Sequence, residues 1–234
     1  MTTSTEAGRK FVAYALSIGA LELVPQGRVL KSGRLSPHFF NSGLFIRSID
    51  LEHLGMAYAE TIVSADDNDE LMPGVIYGPA YKGIPLAVAT AMMLRYEFVG
   101  YEEIGIAYNR KEAKDHGEGG VLIGSPLQDK RVVIADDVIT DGASKREAVD
   151  TIHSHGGQSV ACVIAFDRQE RGKDVHDPRS AAQAFSEDYG IPVLAAATLD
   201  DLIQVLEEGP AVPLGAETLP LILAYRDQYG VATN

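Results

Sequence analysis

Two adjacent carboxylates follow a short apolar run in the middle of the chain. Residues 132–135 have the composition of a strand buried on both faces, and Asp136 and Asp137 come immediately after it. Carboxylate oxygens accept hydrogen bonds from sugar hydroxyls. Neighbouring carboxylates also repel each other unless a cation or a hydroxyl group lies close by. The pair therefore predicts a binding site at the end of this strand.

A loop of small residues connects the two acids to a predicted helix. The loop covers residues 140–144, and Ser144 and Glu147 have the S-x-x-E spacing of a capping box, which predicts that the helix begins at Ser144. Backbone N–H groups at a helix N-terminus bind phosphate, and the helix dipole favours it. An ordinary strand-to-helix turn would explain Gly142 and Ser144 but not the acids. We therefore expect a phosphorylated sugar at this loop.

Two other stretches could supply cations to such a ligand. Residues 78–83, GPAYKG, place Lys82 among small residues that let a ligand approach the backbone. The alternative is a loop lysine on a Pro/Gly turn. Residues 109–120 contain a basic cluster whose glycines would allow opening and closing. The cluster consists of Arg110, Lys111, Lys114 and His116. The alternative is a solvated surface loop, because three acids in the same run nearly cancel its charge.

Aromatic and guanidinium groups suggest a site for a flat anion. Phe39 and Phe40 are adjacent in a predicted strand and so point to opposite faces, which leaves one ring able to stack on a base. The alternative is that both are buried under the first helix. Arg168, at the end of another strand, could bind a carboxylate with its planar guanidinium. The alternative is a surface arginine paired with Glu170 or Asp167.

Taken together, these stretches resemble the orotate phosphoribosyltransferases, which are type I phosphoribosyltransferases. The resemblance is carried by the acid pair with its T-x-G-x-S-like loop, by GPAYKG, by the basic run, by KSGRLSPHFFN (residues 31–41) and by DRQERG (residues 167–172). It implies transfer of phosphoribosyl from phosphoribosyl diphosphate (PRPP) to orotate, giving orotidine 5′-monophosphate and pyrophosphate in pyrimidine (UMP) biosynthesis. It also implies Mg²⁺ held mainly through PRPP, with no direct protein ligand assigned, and a homodimer whose lid, the basic run, closes over the neighbouring subunit's site.

The resemblance assigns roles to individual residues. The residues implied in catalysis are Lys82, Arg110, Lys114, Asp136 and Asp137. Those implied in PRPP binding are Lys31, Tyr81, Lys82, Arg110, Lys111, Lys114, His116, Asp136, Asp137, Val138, Ile139, Thr140, Asp141, Gly142, Ala143 and Ser144. Those implied in orotate binding are Lys31, Phe39, Phe40, Thr140 and Arg168. The family's non-proline cis peptide would fall at Ala80-Tyr81.

Two positions depart from the family pattern. Asp141 stands where an uncharged residue is usual, and its carboxylate would repel phosphate unless it points outward. Ala143 stands where many members have a threonine hydroxyl, and Ser144 could supply that hydroxyl instead. Both affect the expected affinity for PRPP.

Apolar periodicity and turn residues predict the elements that hold these groups. The predicted helices cover residues 5–21, 48–64 (capped by Ser48), 85–96 and 217–229, with others beginning at Ser144, at Asp177-Pro178 and at a Thr198 cap. The predicted strands cover residues 75–78, 104–108, 121–124, 132–135, 159–166 and 192–196, and a hairpin near residues 29–41 lies outside their sheet.

Because strands alternate with helices, we expect an α/β fold with a central, mostly parallel sheet flanked by helices. Ligands of such sheets bind at the carboxyl ends of the strands. The resemblance implies the type I phosphoribosyltransferase fold as a single domain of residues 1–234. A small N-terminal hood, formed mainly by residues 1–47 with part of the C-terminal region, would cover the base.

Composition limits the other possibilities. With 234 residues, a net charge of −13 and 46% hydrophobic residues, the chain suits one acidic α/β domain, and neither nucleic acid nor a membrane is an expected partner. The single cysteine, Cys162, is expected to be buried, and the N-terminus lacks a signal-peptide pattern, so we expect a cytoplasmic protein. The alternatives are a phosphoribosyltransferase for another base and a non-catalytic PRPP-sensing regulator. The latter would be expected to carry a basic appendage.

Overall fold

A computed structural model of the chain describes residues 4–66, 71–114, 120–139, 142–172, 177–209 and 213–231, with the backbone alone given for residues 111–114 and 120. The helices in these ranges are α1 (Glu6–Ser17), α2 (Ser48–Ala65), α3 (Gly83–Glu97), α4 (Ala143–Ser154), α5 (Ala181–Tyr189), α6 (Leu199–Glu208) and α7 (Gly215–Tyr229). The strands are β1 (Leu21–Val29), β2 (Leu35–Phe40), β3 (Val75–Tyr77), β4 (Gly105–Lys114), β5 (Gly120–Gly124), β6 (Arg131–Asp136), β7 (Gln158–Asp167) and β8 (Val193–Thr198). No helix in the described ranges is long and apolar enough to cross a membrane.

The main sheet has the strand order β5-β4-β3-β6-β7-β8. β5 pairs antiparallel with β4, and the remaining neighbours pair parallel, which confirms the expected mostly parallel sheet. Helices α3, α4 and α5 connect β3 to β4, β6 to β7 and β7 to β8. Parallel neighbours need such crossover connections.

Alternate residues along each central strand enter two different cores. Val133, Ala135 and Val163 face a core shared with α1, α2, α3, α6 and α7, whereas Val132, Ile134 and Cys162 face a core shared with α4 and α5. This alternation is the consequence of the two-residue repeat of a strand. Helices therefore cover both faces of the sheet, which explains why these strands are continuous apolar runs. Cys162 is free and buried, as expected.

The N-terminal hairpin forms its own two-stranded antiparallel sheet of β1 and β2, as predicted, although β1 begins eight residues earlier than the predicted segment, at Leu21 rather than Val29. Its residues pack against α7 near the C-terminus. On α1, Phe11, Val12 and Ala15 are buried, as their spacing predicted.

Several predicted boundaries are wrong for local reasons. Residues 109–114 continue β4 rather than forming a loop, because β5 returns beside them and supplies backbone partners. The cap of α2 is supplied by Asp50, whose carboxylate accepts the N–H groups of Ile46 and Arg47, and not by Ser48. Helix α5 begins after a Ser180 cap and not at Asp177-Pro178. The predicted Thr198 cap of α6 is confirmed and forms a capping box with Asp201.

The predicted cap at Ser144 is also wrong. Helix α4 begins at Ala143, after Gly142, which has φ 70° and ψ 3°. Glycine adopts this left-handed conformation without steric cost. The Ser144 hydroxyl instead donates to Asp136, 3.1 Å away, so it is not directed at the helix N-terminus.

Candidate active site

The strand order brings four of the predicted stretches to one edge of the sheet. β4, β3, β6 and β7 are consecutive neighbours, with Tyr77 level with both Ala107 and Ile134, and Asp136 level with Ile164. Because these strands are parallel, the segments that follow them lie side by side at their carboxyl ends. Lys82, Asp137 and Arg168 lie in these segments, Asp136 is the last residue of β6, and Arg110 lies in the part of β4 that extends beyond the end of β3.

Asp137 forms an ion pair with Lys82. Its Oδ2 accepts hydrogen bonds from Lys82 Nζ and Ser42 Oγ, each at 3.1 Å, and its Oδ1 accepts the Val138 N–H at 2.8 Å. Burial alone would raise the pKa of Asp137, but the Lys82 ammonium and these hydrogen bonds hold it below the ordinary value. Asp137 is therefore a carboxylate at neutral pH. The Lys82 side chain is 62% exposed and so remains accessible to a ligand.

Asp136 has a different cation, Lys145, in the first turns of α4. Lys145 Nζ donates to Asp136 Oδ2 and, at 2.6 Å, to the carbonyl of Val138. The Ser144 hydroxyl donates to the same Oδ2, and the Tyr58 hydroxyl donates to the Asp136 carbonyl at 2.7 Å. Both members of the ion pair are buried. Two separate cations therefore offset the repulsion expected between the two acids.

The loop between β3 and α3 is shaped by two glycines. A Cβ atom on Gly78 would lie 2.2 Å from the Gly83 carbonyl oxygen, and one on Gly83 would lie 2.9 Å from that of Ala135. A larger residue at Gly83 would force the loop away from β6, and one at Gly78 would force it away from the start of α3. The Asn109 side chain accepts the Ala80 N–H at 2.9 Å, and the Ala80-Tyr81 peptide is cis, as the resemblance implied. This packing places Lys82 next to Asp137.

The basic run leaves the same edge of the sheet. Arg110 lies in β4 and is partly buried, while Lys111 and Lys114 are in the same strand, where the structure describes the backbone alone. His116 lies outside the described residues, as do Thr140 and Asp141 of the predicted phosphate loop. Of the remaining residues of that loop, Val138, Ile139 and Gly142 lie between the acid pair and α4, and Ala143 and Ser144 are the first two residues of this helix.

Arg168 lies directly after β7 and is held among buried groups. Its side chain is 15% exposed, and its Nε lies 3.7 Å from Glu170 Oε1. Pairing of Arg168 with Glu170 was one of the alternatives considered from the sequence, and the structure contains this ion pair. Arg168 shares a small cleft with Ser32 and Arg34 of the hairpin turn and with Ile139 of the phosphate loop. The cleft thus joins the predicted sites for the base and for the sugar phosphate.

The two phenylalanines of the hairpin have separate environments. Phe40 is buried and stacks on Phe166, with ring centroids 6.0 Å apart, and also contacts Phe11 of α1. Phe39 is partly buried, and the Arg28 guanidinium lies 4.0 Å from its ring centroid. The Phe40 ring is therefore part of the core, and its expected contact with a base stays a prediction. Phe39 is the more accessible ring of the pair and the one able to stack on a base. Lys31 is exposed at the turn of the hairpin.

The sequence interpretation missed four residues that build this site. Ser42 and Tyr58 contact the acid pair from another part of the chain, and Arg34 bonds to the segment after β7. A sequence signal existed for Lys145, because it lies in line with Ala148, Val149 and Ile152 on the buried stripe of α4. A lysine on an apolar stripe requires a buried partner.

Comparison with known proteins agrees with this geometry. A family model described as the phosphoribosyl transferase domain matches residues 50–192. An orotate phosphoribosyltransferase of Bordetella avium (strain 197N) is 45% identical over 223 residues, which cover 94% of this chain and 97% of the relative. One from Nitrosococcus oceani is 48% identical over 202 residues, covering 86% of each chain. The crystal structure of orotate phosphoribosyltransferase from Francisella tularensis matches with a TM-score of 0.78 and 32% identity, covering 94% of this chain and 99% of that one.

Proposed function

The chain belongs to the orotate phosphoribosyltransferases, and on this basis we propose that it transfers phosphoribosyl from PRPP to orotate at the carboxyl edge of its sheet. The products are orotidine 5′-monophosphate and pyrophosphate. The observation that carries this proposal is the juxtaposition of the acid pair, Lys82 and the start of α4 at neighbouring strand ends. An ionised acid, an accessible ammonium and a helix N-terminus suit a sugar that carries phosphates.

The sugar phosphate lies along the loop after β6. Asp137, and Asp136 behind it, accept hydrogen bonds from the ribose hydroxyls and stabilise positive charge that develops on the ring. The 5′-phosphate is bound by residues 140–144 at the N-terminus of α4, with Ile139 contributing through its backbone, while Val138, whose N–H donates to Asp137, shapes the start of the loop. The side chain of Ile139 is buried and packs in the core.

The leaving pyrophosphate needs preorganised cations, because negative charge grows on it as the anomeric carbon loses it. Lys82 is placed for this role by its contact with Asp137. Arg110, Lys111, Lys114 and His116 of the basic run provide the others, and Tyr81 and Lys31 border the same ligand. Closing this lid excludes water, which would otherwise compete with orotate.

Mg²⁺ fits this donor set. The ion prefers hard oxygen ligands and commonly binds through substrate phosphates with one or two carboxylates nearby, and the ionised Asp137 is such a group. Bound mainly through PRPP, the ion would neutralise charge on the pyrophosphate.

Orotate is bound at the cleft between β7 and the hairpin. The Arg168 guanidinium pairs with the orotate carboxylate, while Phe39 stacks on the ring and Lys31 and Thr140 approach its polar edge. Orotate reacts as an anion, so no protein base is assigned to the attacked nitrogen. The enzyme works as a cytoplasmic homodimer, in which the lid of each subunit serves the site of the other. The hood that covers the base consists mainly of residues 1–47 with part of the C-terminal region.

The direct test is to mix the purified protein with Mg²⁺, PRPP and orotate and to follow the loss of orotate absorbance. We expect orotidine 5′-monophosphate and pyrophosphate in equal amounts. A panel of other pyrimidine and purine bases in the same assay checks the substrate. Turnover of another base without turnover of orotate would overturn the substrate assignment, and PRPP binding without turnover of any base would indicate a PRPP sensor.

A further inference from the structure

Lys145 is a buried cation for which the proposed reaction has so far no role. Its side chain is 4% exposed, although it is the third residue of α4, in the first turn, where most lysines would extend into solvent. Burying an ammonium is costly unless acceptors replace the lost water. Lys145 Nζ has two such acceptors, Asp136 Oδ2 and the Val138 carbonyl.

These two acceptors lie on either side of Asp137. Asp136 ends β6, and Val138 begins the loop that leads to the phosphate-binding segment. By bonding to both, Lys145 fixes the path of the backbone on which Asp137 stands. It also ties the first turn of α4 to the tip of β6. The position of the helix N-terminus relative to the acids is thereby set by one side chain.

Lys145 also fixes the orientation of the Asp136 carboxylate. Oδ2 is occupied by Lys145 and Ser144, while Oδ1 accepts the Asp137 N–H at 2.9 Å. A carboxylate has about four lone-pair directions, so these three bonds leave one free on Oδ1. In addition, the ammonium neutralises one of two adjacent negative charges beside a substrate that is itself a polyanion.

We propose that Lys145 is a positioning residue for PRPP, which acts through Asp136 and the Val138 carbonyl without touching the substrate. The proposal deepens the function proposed above and rests on it. A merely structural ion pair would affect the stability of the fold but not the affinity of the folded protein for PRPP. The two possibilities therefore differ in a measurable way.

The test compares the Lys145→Met variant with the wild type and with a control variant, Lys130→Met. Lys130 is an exposed lysine just before β6. Each protein is assayed well below its melting temperature for kcat and for both KM values, and PRPP binding with Mg²⁺ is measured by calorimetry without orotate. We expect Lys145→Met to lower kcat/KM for PRPP and PRPP affinity by roughly 10- to 100-fold, the usual effect of displacing a binding group by about 1 Å. KM for orotate and the Lys130→Met control should stay within about twofold of the wild type.

A double-mutant cycle shows whether the effect passes through Asp136. Because Lys145 also bonds to the Val138 carbonyl, part of its effect should remain, but the double variant Asp136→Asn/Lys145→Met should lose less PRPP affinity than the sum of the two single losses. If Lys145→Met does not fold, the same measurements are made on Lys145→Gln, which keeps a hydrogen-bond donor. Unchanged PRPP affinity in the folded Lys145 variants, or additive effects in the cycle, would overturn the proposal. A wild-type protein that fails to form orotidine 5′-monophosphate would instead overturn the proposed function.

Discussion

The side chain of His38, in β2 of the hairpin, is buried against the end of β7. Its ring packs edge-on against Phe166 and Tyr225, with centroids 6.0 and 5.9 Å away. Burial, with a contribution from the positive charge of Arg168, lowers the pKa of His38 from 6.5 to about 3. The imidazole therefore remains neutral in the folded protein at any pH near neutrality, although it is protonated in the unfolded chain below pH 6.5.

This difference predicts a stability loss in mild acid. Between the unfolded and folded pKa values the unfolded chain binds one more proton, so the free energy of unfolding should fall by up to about 1.4 kcal/mol per pH unit as pH drops below 6.5. Urea unfolding at several pH values between 7 and 5 measures the slope. His38→Gln should remove this contribution, whereas the same change at the exposed His155 should keep the wild-type slope. An identical slope in His38→Gln would contradict the assignment.

Arg168 should act on orotate rather than on PRPP. A charged hydrogen bond contributes about 1.5–3 kcal/mol, so Arg168→Ala should raise KM for orotate by roughly 10- to 100-fold, with a much smaller change for PRPP. Steady-state kinetics with each substrate varied in turn provides the measurement. Arg95→Ala is the control, because Arg95 is exposed in the last turn of α3, at the end of that helix away from Lys82. Equal losses for both substrates would count against the assignment.

At the scale of elements, Arg34 connects the hairpin to the segment after β7. Its guanidinium donates to the carbonyls of Arg171 and Gly172, at 2.7 and 2.8 Å, and to Glu170 Oε2 at 3.2 Å, and it lies over the Tyr229 ring of α7. The turn of the hairpin is thereby held against the strand end that carries Arg168. The predicted base site depends on this connection, because its two walls belong to different elements.

Removing the connection should destabilise the protein and loosen the base site. Arg34→Ala leaves Glu170, whose side chain is 6% exposed, without its closest guanidinium contact, so we expect a loss of about 3 kcal/mol in urea unfolding and a higher KM for orotate. The control is Lys10→Ala, which removes an exposed i,i+4 pair with Glu6 and should change the stability far less than Arg34→Ala. A loss as small as that of the control would show that the connection is unimportant.

At the scale of the whole molecule, an acidic chain gathers cations at one edge of its sheet. The net charge is −13, yet Lys82, Lys145, Arg110 and Arg168 all follow or face neighbouring strand ends. Because Asp137, Asp136 and Glu170 pair with three of these cations, the described part of this edge is much less negative than the chain as a whole, which favours the approach of an anionic substrate there. The proposed dimer would add the lid of a second copy to this edge.

Sharing of lids between subunits can be tested by complementation. Lys114→Ala and Asp137→Asn should each lower turnover by orders of magnitude, since one removes a proposed lid cation and the other a proposed sugar-binding acid. After the two variants are mixed and subunits exchange, a hybrid dimer has one site with an intact lid and an intact acid. Random exchange should then restore about a quarter of the wild-type activity. No recovery despite proven exchange would place each lid over its own subunit's site.

Local patterns in the chain were enough to predict the alternation of strands and helices, the acid pair at a strand end, and the loop that holds Lys82. These features depend on apolar periodicity, on turn residues and on short local spacings, which are visible without a partner. The helix caps at Thr198 and at Ser144 were predicted from the same kind of local pattern, but only the first was confirmed. At Ser144, a hydrogen bond to Asp136 across the strand end prevailed over the local cap.

Which cation pairs with which acid, and which aromatic ring is buried, depends on how the elements pack in three dimensions. Lys145 pairs with Asp136, Lys82 with Asp137, and Phe40 enters the core while Phe39 does not. Each of these outcomes depends on groups far apart in the chain, such as Phe40 and Phe166, that meet when the hairpin and the sheet pack together. The free energy of burying a charge or a ring is set by those distant neighbours, so the local sequence does not contain it.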